Sequence, residues 1–362
     1  MLTIDLRMYC MSGIGRYLRN LVPLVIPRLL ADRIRVIGDP SQFASSSWIN
    51  DPRVELFESR ANIYSIKEQA LAWSGAFRGT ELLWVPHYSV PLLYNGLLAV
   101  TIHDVCHLAL PELLGSSLKR SYAALLFENV ARKADAVFCV SEFTSKEVQK
   151  YLHISANRIH VTRPGLDAMW DPRLAPHKEQ DLPPYFLYVG NVKPNKNLTM
   201  LMRAFRQVMH RIPHRLMIVG KMSEMRTVDD AVILEAKNFG DRVHMTGAVS
   251  DEQLMKYYRS AEALVVPSLY EGFGLPLLEA MSLGCPVLCS SASSLPEVAG
   301  DAAVYFDPRD ARDIAEKLLQ IAANPALRMA LVEKGSDRLR KFRYEDCAGL
   351  TAEVLNKLMM RN

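Results

Sequence analysis

No Asp-x-Asp occurs in the 362 residues, and there is no Cys-x-x-Cys pair and no Gly-x-Ser-x-Gly elbow. The first absence removes the usual carboxylate pair for a divalent cation. The second removes zinc and dithiol frames, and the third removes the serine hydrolase nucleophile. No metal is therefore expected. Charge of one sign is scarce as well: 43 Lys and Arg against 39 Asp and Glu leave a net +4. That balance argues against a nucleic-acid partner and is compatible with loose attraction to an anionic membrane face. The six cysteines are scattered, with only Cys285 and Cys289 near neighbours, which suggests reduced thiols in a cytoplasmic protein rather than a disulfide frame. The opening residues do not read as a signal peptide, and no apolar run of 18 residues lacks charge. The nearest, "YLRNLVPLVIPRLLADRIRV", reads as the first helix of a domain packed on a sheet, with an interfacial membrane face as the second option.

What is present is an alternation. Runs such as "LTIDL", "IRVIG", "ELLWV", "LLAVTI", "AVFCV" and "RIHVT" interleave with helical patterns near residues 15–31, 116–133 and 142–152. Prolines then cluster in "PGLDAMWDPRLAPHKEQDLPP", which places a linker and a domain boundary near residue 172. The pattern restarts with "YFLYVG", "HRLMIVG", "RVHMTG", "ALVVPS", "CPVLCS" and "AAVYFD". Asn197 is expected to cap one of the following helices, and Ser250 with Gln253 another. The fold class is α/β, with two Rossmann-like doubly wound domains (1–172 and 173–344) facing a central cleft. Ligands of such sheets bind outside the carboxyl ends of the strands.

The candidate chemistry falls at those ends. "EGFGLPLLE" follows a strand and opens a helix, so its amides favour an anion. Glu271 and Glu279 then suit hydroxyl groups attached to that anion, although a solvated Glu271 and a helix-dipole role for Glu279 explain the same residues. "MSGIGRYLRNL" offers Gly13 and Gly15 but Leu18 where a dinucleotide fingerprint needs glycine, so a nicotinamide enzyme is poorly supported. "TIHD" places His103 and Asp104 after a buried strand; His103 is either a ligand contact or a histidine bonded within its own domain. "YVGNVKPNKN" brackets Pro194 with Lys193 and Lys196 just before a helix start, a familiar place for a phosphate contact.

Together with "VSEFTSKEV", "RPGLD", "HMTGAVSDEQL" and "SSLPEVAGDAAVYFDP", these segments resemble the retaining glycosyltransferases of family four, the group 1 enzymes of the GT-B fold. The resemblance covers nearly the whole chain. It implies that the glycine-loop amides of Gly272, Phe273, Gly274 and Leu275 hold a donor diphosphate, with Glu279 on the ribose and Glu271 on the donor sugar. It further implies Gly13 and Gly15 near the phosphate, His103 beside the reacting carbon, and Thr246, Gly247 and Val249 near the base. Much of the family has an arginine where this chain has Asn191, and relatives with a P-R-K-N loop have one where Asn195 stands. Lys196, assisted by Lys193, is left to stabilise the leaving diphosphate. A final helix near 345–362 crosses back to the first domain in relatives.

The wording of "SGIGRY" and "SSLPEVAGDAA" looks most like mannosyltransferases of bacterial surface polysaccharides. The expectation is a retaining hexosyltransferase without cofactor, using a nucleotide sugar (GDP-mannose favoured) and a glycan or polyprenyl-linked acceptor. Its expected place is the cytoplasm, with peripheral association at the inner membrane as an option. A UDP- or TDP-sugar donor and a nucleotide-sugar epimerase are the alternatives.

Overall fold

In this computed structural model every residue is described except 12, 114–116, 174–182, 221–229 and 362. Residues 174–182 of the proline-rich stretch expected as a linker thus lie outside the described residues. The chain forms two compact units: Met1–Gly165 together with Phe342–Asn362, and Leu166–Lys341. The division falls ahead of residue 172 because Trp170 is fully buried and packs edge-on against Tyr258 of the second unit.

The first unit contains β1 (Leu2–Asp5), β2 (Ile34–Gly38), β3 (Val54–Glu58), β4 (Leu82–Val85), β5 (Leu97–Ile102), β6 (Ala136–Cys139) and β7 (Ile159–Val161). They form one parallel sheet in the order β3-β2-β1-β4-β5-β6-β7. Central strands of such a sheet are covered on both faces, and β1, β4 and β6 are buried at every position. The edge strand β3 alternates half-buried and exposed residues instead. Helices α1 (Gly13–Val25), α2 (Ile66–Gln69), α3 (Cys106–Ala109), α4 (Ser117–Lys133) and α5 (Glu142–Leu152) join these strands. The apolar stripe of α1, with Leu18, Leu21, Val22 and Val25, is buried within this unit. It serves as a packing face there.

The second unit carries β8 (Tyr185–Val189), β9 (Arg215–Val219), β10 (Val243–Gly247), β11 (Ala263–Val266), β12 (Val287–Ser290) and β13 (Ala303–Phe306). These are again all parallel, ordered β10-β9-β8-β11-β12-β13. Its helices are α6 (Leu198–Val208), α7 (Asp230–Lys237), α8 (Asp251–Ser260), α9 (Leu275–Ser282), α10 (Leu295–Ala299), α11 (Ala311–Ala323) and α12 (Pro325–Leu339). Phe186, Leu201, Phe205, Ile218, Val265 and Leu318 lie in its main core. Ser250 caps α8 by accepting from the Gln253 N–H at 3.2 Å, as expected.

The last helix, α13 (Tyr344–Met359), belongs to the first unit and packs on α1. Asn356 fastens it, donating to Arg28 O at 3.0 Å and accepting from the Leu30 N–H at 2.9 Å. Where the chain returns it passes so close to Gly165 that a β-carbon there would lie 2.2 Å from Tyr344 N. Only glycine fits that crossing.

Candidate active site

Three strands of the second unit end in glycine for a steric reason. Gly190, Gly220 and Gly247 all have positive φ, and a β-carbon on Gly220 would lie 2.0 Å from Gly190 O. The Gly220 N–H in turn donates to Gly247 O at 3.0 Å. Side chains are thereby excluded from a shelf of backbone running across the ends of β10, β9 and β8. Thr246 and Val249, half-buried, flank its Gly247 end. Asn191 follows Gly190 at the other, with its carbonyl accepting from the Tyr188 hydroxyl at 3.1 Å.

Beyond Asn191 the loop tightens into a short turn at Pro194–Lys196. Lys196 Nζ donates to Glu271 Oε1 at 2.5 Å, joining the two loops that follow β8 and β11. Their side chains are 24% and 16% exposed, so the pair is shielded yet reachable. Ser268 Oγ donates to the same carboxylate oxygen at 2.7 Å, and the Glu271 N–H donates to Ser293 Oγ at 3.1 Å. Ser293 itself holds a left-handed backbone, φ +60. Lys193, just ahead, is half-buried at the start of the turn.

The asparagines of this loop do structural work. Asn195 donates from Nδ2 to Tyr270 O at 3.2 Å, and its backbone carbonyl accepts from the Leu269 N–H at 2.9 Å. Asn197 is not the side-chain cap that the sequence suggested. Left-handed at φ +60, it donates to Pro267 O and Pro308 O at 3.0 and 2.7 Å, tying three strand ends together.

Gly272, Phe273 and Gly274 are buried, and Leu275, half-buried, is the first residue of α9. Gly274 takes φ +113, where a β-carbon would meet Leu295 at 2.9 Å. Ser294 Oγ donates to Glu271 O and Phe273 O at 2.9 and 2.8 Å, which fixes the loop from the far side. Glu279 lies within α9 at 2% exposure, with Tyr258 OH donating to its Oε2 at 2.9 Å. A surface helix-dipole role does not describe a carboxylate so buried, because desolvation is costly unless its oxygens are matched.

In the first unit the predicted residues separate by role. Gly13 is exposed and a β-carbon there would touch nothing, whereas at Gly15 it would lie 2.5 Å from Tyr9 O. Packing alone thus accounts for Gly15. His103 is half-buried, lies edge-on to Tyr17 at 4.9 Å, and donates from Nε2 to Pro86 O at 3.0 Å. Burial pushes its pKa down to about 4, against the opposing pull of Pro86 and Asp104. The ring is therefore neutral near pH 7, and with Nε2 carrying the hydrogen, Nδ1 is left to accept.

Sequence reasoning missed a buried ionic cluster beside it. Arg7 Nη2 reaches Asp5 Oδ2 at 2.5 Å and Glu68 Oε1 at 2.8 Å, with all three side chains at most 4% exposed. Burial would raise the Asp5 carboxyl, but Arg7 and His87 hold it well below the ordinary carboxylate range. Glu68 also accepts from Ser89 Oγ at 2.6 Å and from the Tyr64 N–H at 2.8 Å. The "DLR" at the end of the first strand was the available signal, since a carboxylate and a guanidinium seldom follow so apolar a run without being paired.

Comparison with known proteins bears on the family of the whole chain. Residues 173–338 match the model of the glycosyl transferases group 1 family, and residues 72–169 match that of glycosyltransferase family 4. The chain is 30% identical to O-antigen chain mannosyltransferase B of Escherichia coli over 96% of both chains. It is 29% identical to the serotype-specific mannosyltransferase WbdA of Escherichia coli over 70% of its length but only 33% of that longer protein. Among solved structures, a sucrose-phosphate synthase from Thermosynechococcus elongatus superimposes with a TM-score of 0.76, covering 100% of this chain and 99% of the other at 20% identity.

Proposed function

The chain belongs to the group 1 glycosyltransferases and has their GT-B architecture, and from that premise we propose that it transfers mannose from GDP-mannose, with retention, onto a glycan in surface polysaccharide synthesis. The names of its relatives support mannose and the polysaccharide context. The observation that carries the proposal is the Lys196–Glu271 pair at adjoining strand ends of the second unit. An ammonium and a carboxylate held together suit a diphosphate joined to a polyol, each group meeting its own partner when the donor enters.

In this reading Lys196 and the amides beginning α9 stabilise the charge that builds on the leaving diphosphate. Glu271 turns to the sugar hydroxyls, and Glu279, oriented by Tyr258, takes the ribose. Thr246 to Val249 meet the base across the glycine shelf. In the first unit, Gly13, where nothing crowds the backbone, is the candidate phosphate contact, and neutral His103, with Nδ1 left to accept, is the candidate for a sugar hydroxyl. No cofactor or metal enters the scheme. No helix among the described residues is long and apolar enough to cross a membrane. Cytoplasmic location, a lipid-linked acceptor and peripheral attachment by the net positive charge belong to the same reading.

The test is incubation with GDP-, UDP- and TDP-sugars, with and without acceptor glycans, and NMR of the product. An α-mannoside formed from GDP-mannose only with acceptor, at a rate unchanged in excess EDTA, is expected. A nucleotide sugar altered without acceptor would make the protein an epimerase. A strict manganese requirement would remove the central role given to Lys196.

A further inference from the structure

Three aromatic rings of the first unit stack outward from its core. Phe127, 1% exposed, lies flat under Tyr88 at 4.1 Å and 18°, and Tyr88 supports Tyr64 at 5.4 Å and 40°. The stack ends in Tyr64, which is 43% exposed. Its backbone is left-handed, φ +59, a conformation that a bulky residue adopts only when its surroundings impose it. The surroundings are those of the buried cluster: Glu68, locked by Arg7 and Ser89, accepts from the Tyr64 N–H. Strain of this kind, held by a buried hydrogen-bonded network, collects where a side chain must be presented to a ligand.

The location agrees. Tyr88 follows β4, His103 and Asp104 follow β5, and the Arg7 cluster follows β1, so the stack stands at the carboxyl ends of the central strands, where ligands of such sheets bind. Tyr88 OH is 2.9 Å from His107 Nδ1. Burial raises the Tyr64 and Tyr88 phenols above their ordinary value, and the charge of Asp104 acts on them in the same direction. A partly exposed aromatic residue backed by two further rings matches a pyranose, which presents an apolar C–H face rimmed by hydroxyls.

We propose that Tyr64, backed by Tyr88 and Phe127, is the stacking platform for the terminal sugar of the acceptor glycan. The assignment rests on the glycosyltransferase reading above. Arg7 and Glu68 are positioning residues for this platform, since they act through the backbone of Tyr64.

Tyr64→Gly and Tyr64→Trp separate the ring from the fold. Glycine relieves the left-handed strain while deleting the platform, so the variant should be no less stable than the parent in a thermal melt. With the full chain free of nucleotide, saturation-transfer NMR is recorded on a panel of methyl pyranosides and short manno-oligosaccharides. At least one glycan should bind the parent and Tyr64→Trp and be lost from Tyr64→Gly. In the transfer assay Tyr64→Gly should raise acceptor KM about tenfold, with donor KM and donor hydrolysis unchanged. No glycan binding to the parent, or equal binding to Tyr64→Gly, overturns the platform. Binding as expected with no transfer from any nucleotide sugar keeps the platform and overturns the glycosyltransferase reading instead.

Discussion

At the residue scale, two of the candidate donor contacts neutralise each other: Lys196 and Glu271 are held together at 2.5 Å. Glu271→Gln should release Lys196, so that GDP binds at least as tightly by calorimetry while transfer slows. Lys196→Ala should lower turnover on the order of 10²-fold, the loss expected for a charge met mainly in the transition state. Lys193→Ala should cost less, and the reverse order would place the phosphate on the wrong lysine. His103 makes a different prediction. Its folded pKa near 4 lies below the ordinary 6.5, so between those values the unfolded chain holds a proton that the folded chain lacks. Stability from this group is complete above about pH 6.5 and drains away as pH falls towards 4. His103→Gln, which keeps a donor for Pro86 O but does not titrate, should show a shallower loss of urea midpoint from pH 7 to 4.5; identical slopes would count against the neutral ring. Lys196, Glu271 and His103 were legible because each stands next to a strand end in the sequence. Ser268, Ser293 and Glu68 were not, since their roles arise from segments that only the fold brings together.

At the element scale, the strand readings succeeded at every strand but one, the half-buried β7, β10 and β13 included. The exception, β3, is an edge strand whose "VELFE" carries Glu55 at a half-buried position and Glu58 at an exposed one. An edge strand interrupted by two glutamates loses the signal that apolar strands keep. The glycine loops were legible as turns, but not which glycines packing requires. Gly13→Ala should leave the melting temperature unchanged, as nothing lies within 4 Å of the new methyl, and should raise donor KM if a phosphate approaches there. Gly15→Ala should lower it, because its methyl meets the Tyr9 carbonyl. At Gly220 the same methyl would collide with Gly190 O and prise apart the ends of β8 and β9. Overpacking of this kind costs about 1–3 kcal/mol or more. A Gly220→Ala variant as stable as the parent in denaturant would contradict the shelf geometry.

At the scale of the whole molecule, the first unit is assembled from two pieces of chain, with α13 against α1 and clamped by Asn356. Ending the chain at Lys341 should bare the buried stripe of α1. Hydrogen exchange should then rise across α1 and the Arg28–Leu30 turn, with α6 and α11 of the second unit unaffected. Protection of α1 left intact would show that α13 is dispensable. The same arrangement sets an order of events at the ribosome. Domains ordinarily fold in the order in which they are made, at about 5–20 residues per second. Here every residue of the second unit is synthesised before α13 exists. The nascent first unit must wait, with α1 uncovered, through the making of some 176 residues, Leu166 to Lys341. During that interval the apolar stripe of α1 is a natural client for a chaperone, and the second unit is finished first.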